Sequence, residues 1–235
     1  MRQGWFVEMN NLNRGLSLTG SRPLGSDSSA VRTLALSRFV SYVRDQGGKN
    51  ILDFGPIVGG NVDFFDQELG CRMIVEDLYN DLEAFKGSEA IDSLGRHFVD
   101  RLRHKNSSID GILCWDLFDY LDQSSADALV KQIARVLRPG GSVFGMFGME
   151  KSNEPVFTKH VIVDIDHLDY RPYEASRCKQ SPWSSRDVIK LFSELEIDET
   201  YLLKRRVREM LFRKPKLAQT DKKVFQIARR GHDYL

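Results

Sequence analysis

Residues 50–61 read Asn-Ile-Leu-Asp-Phe-Gly-Pro-Ile-Val-Gly-Gly-Asn, and this stretch decides the fold. Ile51 and Leu52 close a short apolar run, with Asp53 at its carboxyl edge. Gly55, Gly59 and Gly60 follow, and Asn61 is placed to cap a helix that continues as VDFFDQEL. The order is that of a buried parallel strand, a glycine turn and a helix start. In open α/β sheets, ligands bind outside the carboxyl ends of the strands. Glycine lets a ligand approach the main chain, and the first N–H groups of a helix attract a carboxylate or phosphate. The junction is therefore the first candidate site.

Its spacing excludes two ligand classes. The dinucleotide fingerprint G-x-G-x-x-G fails, because Ile57 stands where the second glycine belongs. No G-K-[ST] follows the glycines, so this is not a phosphate-binding P-loop.

Outward from the junction the alternation of strands and helices continues. Gly70 breaks the helix, and CRMIVEDL reads as a second strand ending in Glu76 and Asp77. Over residues 88–104, Ile91, Leu94, Phe98 and Leu102 recur at spacings of three and four, which predicts a helix. GILCWD is a continuous apolar run that suits a central parallel strand, with Asp116, Leu117 and Phe118 at its carboxyl edge. Asp116 reads either as a helix cap or as a ligand contact, and Cys114 as core. Residues 124–137 form an amphipathic helix, Pro139-Gly140-Gly141 stop it, and SVFGMFGM is the next strand. Upstream, Ser28 or Ser29 is placed to cap a helix over 30–45 that ends at Gly47-Gly48.

LDFGPIVGGNVDFF resembles the first motif of class I S-adenosylmethionine-dependent methyltransferases, roughly [DE]-x-G-x-G-x-G, with Ile57 replacing the middle glycine. IDGILCWDLFDYLDQ and the run Val136-Leu137-Arg138-Pro139-Gly140-Gly141 resemble the family's fourth strand and the turn into its fifth. The matches cover residues 50–147. The resemblance implies a Rossmann-like, mostly parallel sheet with an antiparallel edge strand and helices on both faces. It implies S-adenosylmethionine as cofactor, with Asp53, Gly55, Pro56 and Gly59 around the methionine part. Glu76 or Asp77 would take the ribose hydroxyls, since a carboxylate offers two acceptor oxygens. Asp116, Leu117 and Phe118 would lie near the sulfonium. Asp119-Tyr120 stands where many members carry Glu-His. The family's third strand would fall within 80–109, where HFVD ending at Asp100 competes with the helical period and the period prevails.

Residues 151–183 are too long for a simple connection. KHVIVDIDHLDYRPY within them is strand-like and carries His160, Asp164, Asp166, His167, Asp169, Tyr170, Arg171 and Tyr173. Three readings stand for it. One is an added edge strand with surface charge. Another is a substrate lid, with His160 or His167 as general base and Tyr170 as a polar contact. The third is a metal site built on Asp164 and Asp166; no calcium-loop spacing surrounds these, and no metal is assigned. Ser184 or Ser185 caps a helix from Asp187, and ETYLLKRR and REMLFRKP form two closing strands.

Composition bounds the function. The chain has 235 residues, 41% hydrophobic and 29% charged, the profile of an ordinary globular protein. Its three cysteines form no C-x-x-C, which argues against a disulfide scaffold or zinc knuckle. No apolar run is long enough to span a membrane, and the first 15 residues lack a signal-peptide core. A cytoplasmic protein is expected. Residues 201–235 hold 11 Lys/Arg and 3 Asp/Glu, hence +8 there and −7 over the first 200, together the chain's +1. Such asymmetry marks either a nucleic-acid surface or a solvated edge, and no nucleic-acid motif interleaves it.

The expected organisation is an arm at 1–29, an α/β domain at 30–215 with the inserted lid segment 151–183, and a polar basic tail at 216–235. The expected function is methyl transfer from S-adenosylmethionine to a small-molecule acceptor, with no catalytic residue assigned. The alternatives are a methyltransferase-like binding or scaffold protein, and a nucleic-acid-directed methyltransferase.

Overall fold

The computed structural model describes residues 30–85 and 91–216. The expectations for the arm at 1–29 and for the tail from 217 onward lie outside the described residues. The elements are β1 (Val31–Arg32), α1 (Leu36–Asp45), β2 (Asn50–Asp53), α2 (Gly59–Leu69), β3 (Arg72–Val75), α3 (Leu78–Ala84) and α4 (Ile91–Arg101). There follow β4 (Ile109–Trp115), a 3-10 turn (Leu117–Tyr120), α5 (Gln123–Val136), β5 (Leu137–Gly148), β6 (Val156–Asp164) and β7 (His167–Glu174). The last are α6 (Ser185–Leu191), β8 (Glu196–Leu202) and β9 (Val207–Arg213).

Among the described residues the main sheet has the order β3-β2-β4-β5-β9-β8. The first four strands are parallel, and β9 runs antiparallel to both β5 and β8. This is the expected Rossmann-like α/β fold. The reversed strand is β9, one position in from the edge. Its residues Arg208–Phe212 are all buried, whereas β8 is mostly exposed, so the more apolar strand takes the inner place. Helices α4, α5 and α6 cover one face through Leu94, Phe98, Leu129, Ile133, Val188 and Phe192. Helices α1 and α2 cover the other through Phe39, Val43 and Phe65. Helix α4 stands where the resemblance would put a third strand, as the helical period of 88–104 foretells. Among the described residues β3 is therefore an edge of the sheet.

Four local expectations need correction. Helix α1 starts at Leu36, not at Ala30, because Val31 and Arg32 pair with β7 instead. Its start is capped from afar: the buried carboxylate of Glu209 on β9 accepts from Leu34 N–H at 2.8 Å and Ala35 N–H at 2.9 Å. Asn61 does not cap α2, whose N-cap is Val58 with no side-chain bond. The Asn61 amide is instead buried against β6, donating to the His160 carbonyl at 2.9 Å and accepting from Ile162 N–H at 2.8 Å. Pro139-Gly140-Gly141 do not precede β5 but lie inside it, where the pairing with β4 shifts register between Ile109/Leu137 and Gly111/Ser142. Finally, residues 156–174 are not an edge strand of the main sheet. They form a hairpin, β6–β7, which joins β1 in a separate three-stranded sheet.

Candidate functional site at the carboxyl edge of the sheet

The carboxyl ends of β3, β2 and β4 each deliver an acid: Glu76, Asp53 and Asp116. Parallel pairing fixes them side by side, with Asp53 opposite Val75 on β3 and Leu113 on β4. Asp53 is buried and accepts from Gly55 N–H at 2.8 Å and from Trp115 Nε1 at 2.7 Å. Burial pushes its carboxyl up to about 7, those two donors pulling the other way and the Asp77 charge adding to the rise. Glu76 is also buried; its carboxylate is paired with Arg101 of α4 and lies 2.7 Å from His104 Nε2. Asp77 has φ 45° and caps α3 by accepting from Asn80 N–H.

The glycine turn divides into two parts. A Cβ on Gly55 would lie 2.8 Å from the Trp115 indole, so this glycine makes room for the chain's own tryptophan. At Gly59 and Gly60 a Cβ would meet nothing within 4 Å. Pro56 is buried, and Ile57, the residue in place of the family's middle glycine, points out to solvent at 60% exposure. Ile57 therefore does not fill the edge.

Trp115 fills part of it. It ends β4 with φ 51°, a region bulky residues avoid, and the β4–β5 pairing shifts register beside it. Such a conformation costs about 1–3 kcal/mol and persists where surrounding contacts enforce it. Here those contacts are the Asp53 hydrogen bond and a parallel stack on His160, with ring centroids 5.1 Å apart. Next to it, Tyr79 of α3 donates to Asp116 Oδ1 at 2.7 Å. That bond runs from the segment after β3 to the end of β4, and so crosses the carboxyl edge of β2. Phe157 of β6 packs on Tyr79 and Tyr120 at 5.2 and 4.9 Å.

Beyond Asp116 lies a cavity of about 170 Å³ under the hairpin. Its walls include Asp116, Asp119, Thr158, His160, Tyr170 and Lys179, and Arg205 reaches it from the turn between β8 and β9. Lys179 Nζ lies 2.8 Å from both Asp116 Oδ2 and Asp119 Oδ2. Burial opposes ionisation of Asp116, but His160, Lys179 and the Tyr79 hydroxyl together outweigh it and hold the carboxyl below its ordinary value. Burial pushes Asp119 up to about 6 despite Lys179. Burial also pushes His160 down to about 4, with Arg205 and Lys179 adding to the drop and Asp116 opposing it. The imidazole is thus neutral near pH 7, and Lys179 is the cation paired with Asp116 there. His160 Nε2 lies 3.9 Å from Asp116 Oδ1, and its Nδ1 has no hydrogen-bond partner among the described residues.

The structure brings Asp53, Gly55, Glu76, Asp116, His160 and Tyr170 to this edge through the contacts above. Leu117 and Phe118 are fully buried, Phe118 against Phe147 and Phe192. His167 is apart from the site, at the hairpin turn, with Nδ1 2.9 Å from Asp164 Oδ1. Asp164 and Asp166 occupy that turn rather than one strand face, Asp166 N–H donating to Asp164 at 2.8 Å. Trp115, Tyr79, Lys179 and Arg205 were not singled out in the sequence, and Asp119 was named only in the pair that stands where many members of the family carry Glu-His. Lys179 lay within the long insert, which was the one signal for it. Arg205 lay in the basic final stretch that reads as solvated surface.

Among known proteins, residues 30–196 match the family model described as a methyltransferase domain. No curated protein matches the chain. Among solved structures, 1,6-didemethyltoxoflavin-N1-methyltransferase of Burkholderia thailandensis is 16% identical, with 81% of this chain and 80% of that one covered at a TM-score of 0.46. A TehB-like SAM-dependent methyltransferase of Corynebacterium glutamicum is 16% identical over 76% and 75% of the two chains, TM-score 0.35. The glycopeptide N-methyltransferase MtfA is 12% identical over 83% and 100%, TM-score 0.41. At such TM-scores these likenesses carry no weight for activity or substrate, and the assignment rests on the matched sequence. With the strand–glycine–helix junction and the sheet order described above, that match of 30–196 shows that the chain belongs to the methyltransferase-domain family.

Proposed function

We propose that the protein is an S-adenosylmethionine-dependent methyltransferase acting on a small-molecule acceptor. One juxtaposition carries the reading. Asp116 stands between the glycine turn, reached across β2 through Tyr79, and the polar cavity under the hairpin. Cofactor and acceptor would meet at that residue.

The residues present fit the two polar ends of the cofactor. The α2 N-terminus has no side-chain cap, and space is open at Gly59 and Gly60, which suits a carboxylate. Glu76 is a buried acid at the end of β3; a carboxylate has about four lone-pair sites, so lone pairs remain for ribose hydroxyls beside Arg101 and His104. Between these ends the Tyr79–Asp116 hydrogen bond crosses the lane. Bound there, the cofactor supplies an electrophilic methyl group on a sulfonium. The chain's own part is to orient the acceptor, exclude water with the hairpin, and offer the neutral His160 as proton acceptor. Positioning alone accounts for much of the rate in such a transfer.

Calorimetric titration with S-adenosylmethionine and S-adenosylhomocysteine, with NADH as control, tests the reading. Micromolar binding that weakens at least about tenfold in Glu76→Ala is expected, the loss of one charged hydrogen-bond acceptor being worth about that much. A folded chain, free of carried-over ligand, that binds neither compound overturns it.

One observation favours a second reading, a methyltransferase-like binding protein without turnover. The lane over β2 is closed by the chain's own Tyr79, Phe157 and Trp115, all buried. Under that reading Tyr79→Phe does not create cofactor binding.

A further inference from the structure

The charges around the cavity are sorted, and the sorting describes a ligand. At the β4 edge two carboxylates, Asp116 and Asp119, face one lysine, Lys179, which leaves that end net negative. At the other end stands Arg205. Its guanidinium lies 3.6 Å from the Tyr170 ring centroid and donates to the Tyr170 hydroxyl. Among the described residues it makes no ion pair, and its buried Nε has no hydrogen-bond partner. His160 separates the two ends: its Nε2 is 3.9 Å from Asp116, and its ring meets Tyr170 edge-on at 5.1 Å. The imidazole is 4% exposed and forms part of the cavity wall between the two ends.

Unmatched charge next to low-dielectric walls is costly. A ligand with a single charge answers one end and leaves the other exposed. A ligand with a cationic and an anionic group answers both. Size narrows the class further. A cavity of 150 Å³ holds benzene in another protein, so 170 Å³ takes roughly six or seven heavy atoms.

We infer that the cavity binds a small zwitterion, an amino-acid-like molecule whose amine faces Asp116 and Asp119 and whose carboxylate faces Arg205, as the methyl acceptor; its ammonium would first lose one proton to solvent, and the freed nitrogen lone pair would form the N–C bond as the methyl's bond to sulfur breaks, with S-adenosylhomocysteine leaving. The inference deepens the methyl-transfer reading and rests on it for the ligand's role, but not for the binding itself.

The test is calorimetry on the full chain, with and without S-adenosylhomocysteine. The titrants are L-alanine and 4-aminobutyrate, with n-butyrate and n-butylamine as single-charge controls. At least one zwitterion is expected to bind about tenfold or more tighter than either control, since each lost charge-assisted contact is worth about that factor. Arg205→Gln and Asp119→Asn are each expected to abolish this advantage in protein whose circular dichroism is unchanged. Should Asp119→Asn fail to fold, Thr158→Leu, which narrows the cavity from β6, is expected to exclude the zwitterion. The inference is overturned if a control binds as tightly as the better zwitterion, if neither zwitterion binds, or if Arg205→Gln leaves their affinity unchanged. Failure to bind S-adenosylhomocysteine, with zwitterion binding intact, overturns the methyl-transfer reading and not this one.

Discussion

The residue that most controls entry to the edge of the sheet is Tyr79. Its hydroxyl donates to a buried, ionised carboxylate across the end of β2, and burial with the Asp116 charge raises its own pKa well above the ordinary value, so it stays protonated. A hydrogen bond to a charged group contributes about 1.5–3 kcal/mol. If the cofactor must break that bond to lie across β2, Tyr79→Phe removes the obstacle and keeps the ring that packs on Phe157. Titration of that variant with S-adenosylhomocysteine is expected to show affinity about tenfold higher than the parent. A fall in affinity would instead make the hydroxyl a ligand contact. The acids at 53 and 116, and the pair 76 and 77, were legible in the sequence because acids closing apolar runs are a local signal; which of the pair closes the strand was not. Tyr79 was not, since nothing in the run from 78 to 84 says that its hydroxyl meets a residue 37 positions away.

At the scale of elements, the β6–β7 hairpin is the piece that turns a common sheet into this site. It presents Phe157 and His160 to the carboxyl edge and pins itself to α2 through Asn61. Both ends of that amide bond the β6 main chain, so Asn61→Ala leaves a buried carbonyl and a buried N–H unsatisfied. Each such loss costs about 1–3 kcal/mol. A global loss of about 2–4 kcal/mol is expected by urea denaturation. Amide hydrogen exchange is expected to quicken selectively over residues 156–174; uniform quickening would show that the hairpin is not a separable unit. The sequence identified the insert by its length and its strand character by composition. It did not show that the strands leave the main sheet, because a period of two is the same in either sheet. For the same reason Asn61 passed for a helix cap: an Asn after two glycines looks the same whether its amide turns back on its own helix or outward to another strand.

For the whole molecule, the buried titratable groups set the pH dependence of stability. Asp53 titrates near 7 in the folded chain, and an unfolded Asp near 3.9. Between those values the native state holds the extra proton, so this group makes stability fall as pH rises. Asp119, near 6, acts in the same direction. His160, near 4 when folded against about 6.5 unfolded, acts oppositely between those values. Two acids outweigh one histidine, and stability is expected to decline from about pH 4 to pH 7. Asp53→Asn keeps an acceptor for Gly55 and Trp115 without the charge. It is expected to flatten that decline and to raise stability by about 2–4 kcal/mol at pH 8, read by urea denaturation across the range. An unchanged slope would mean that Asp53 is ionised in the native state at lower pH. The sequence by itself determined the run β2, α2 and β3, the glycine turn, the helix at 88–104, the run β4 and α5, and the acids at the strand ends. These follow from period, propensity and turn chemistry within a few residues. Only the tertiary structure decided that Trp115 lies on Gly55, that Glu209 caps α1, and that His160, Lys179 and Arg205 share one cavity with Asp116. Those contacts join segments far apart in the chain, and their energies depend on burial and packing, which no local pattern of residues encodes.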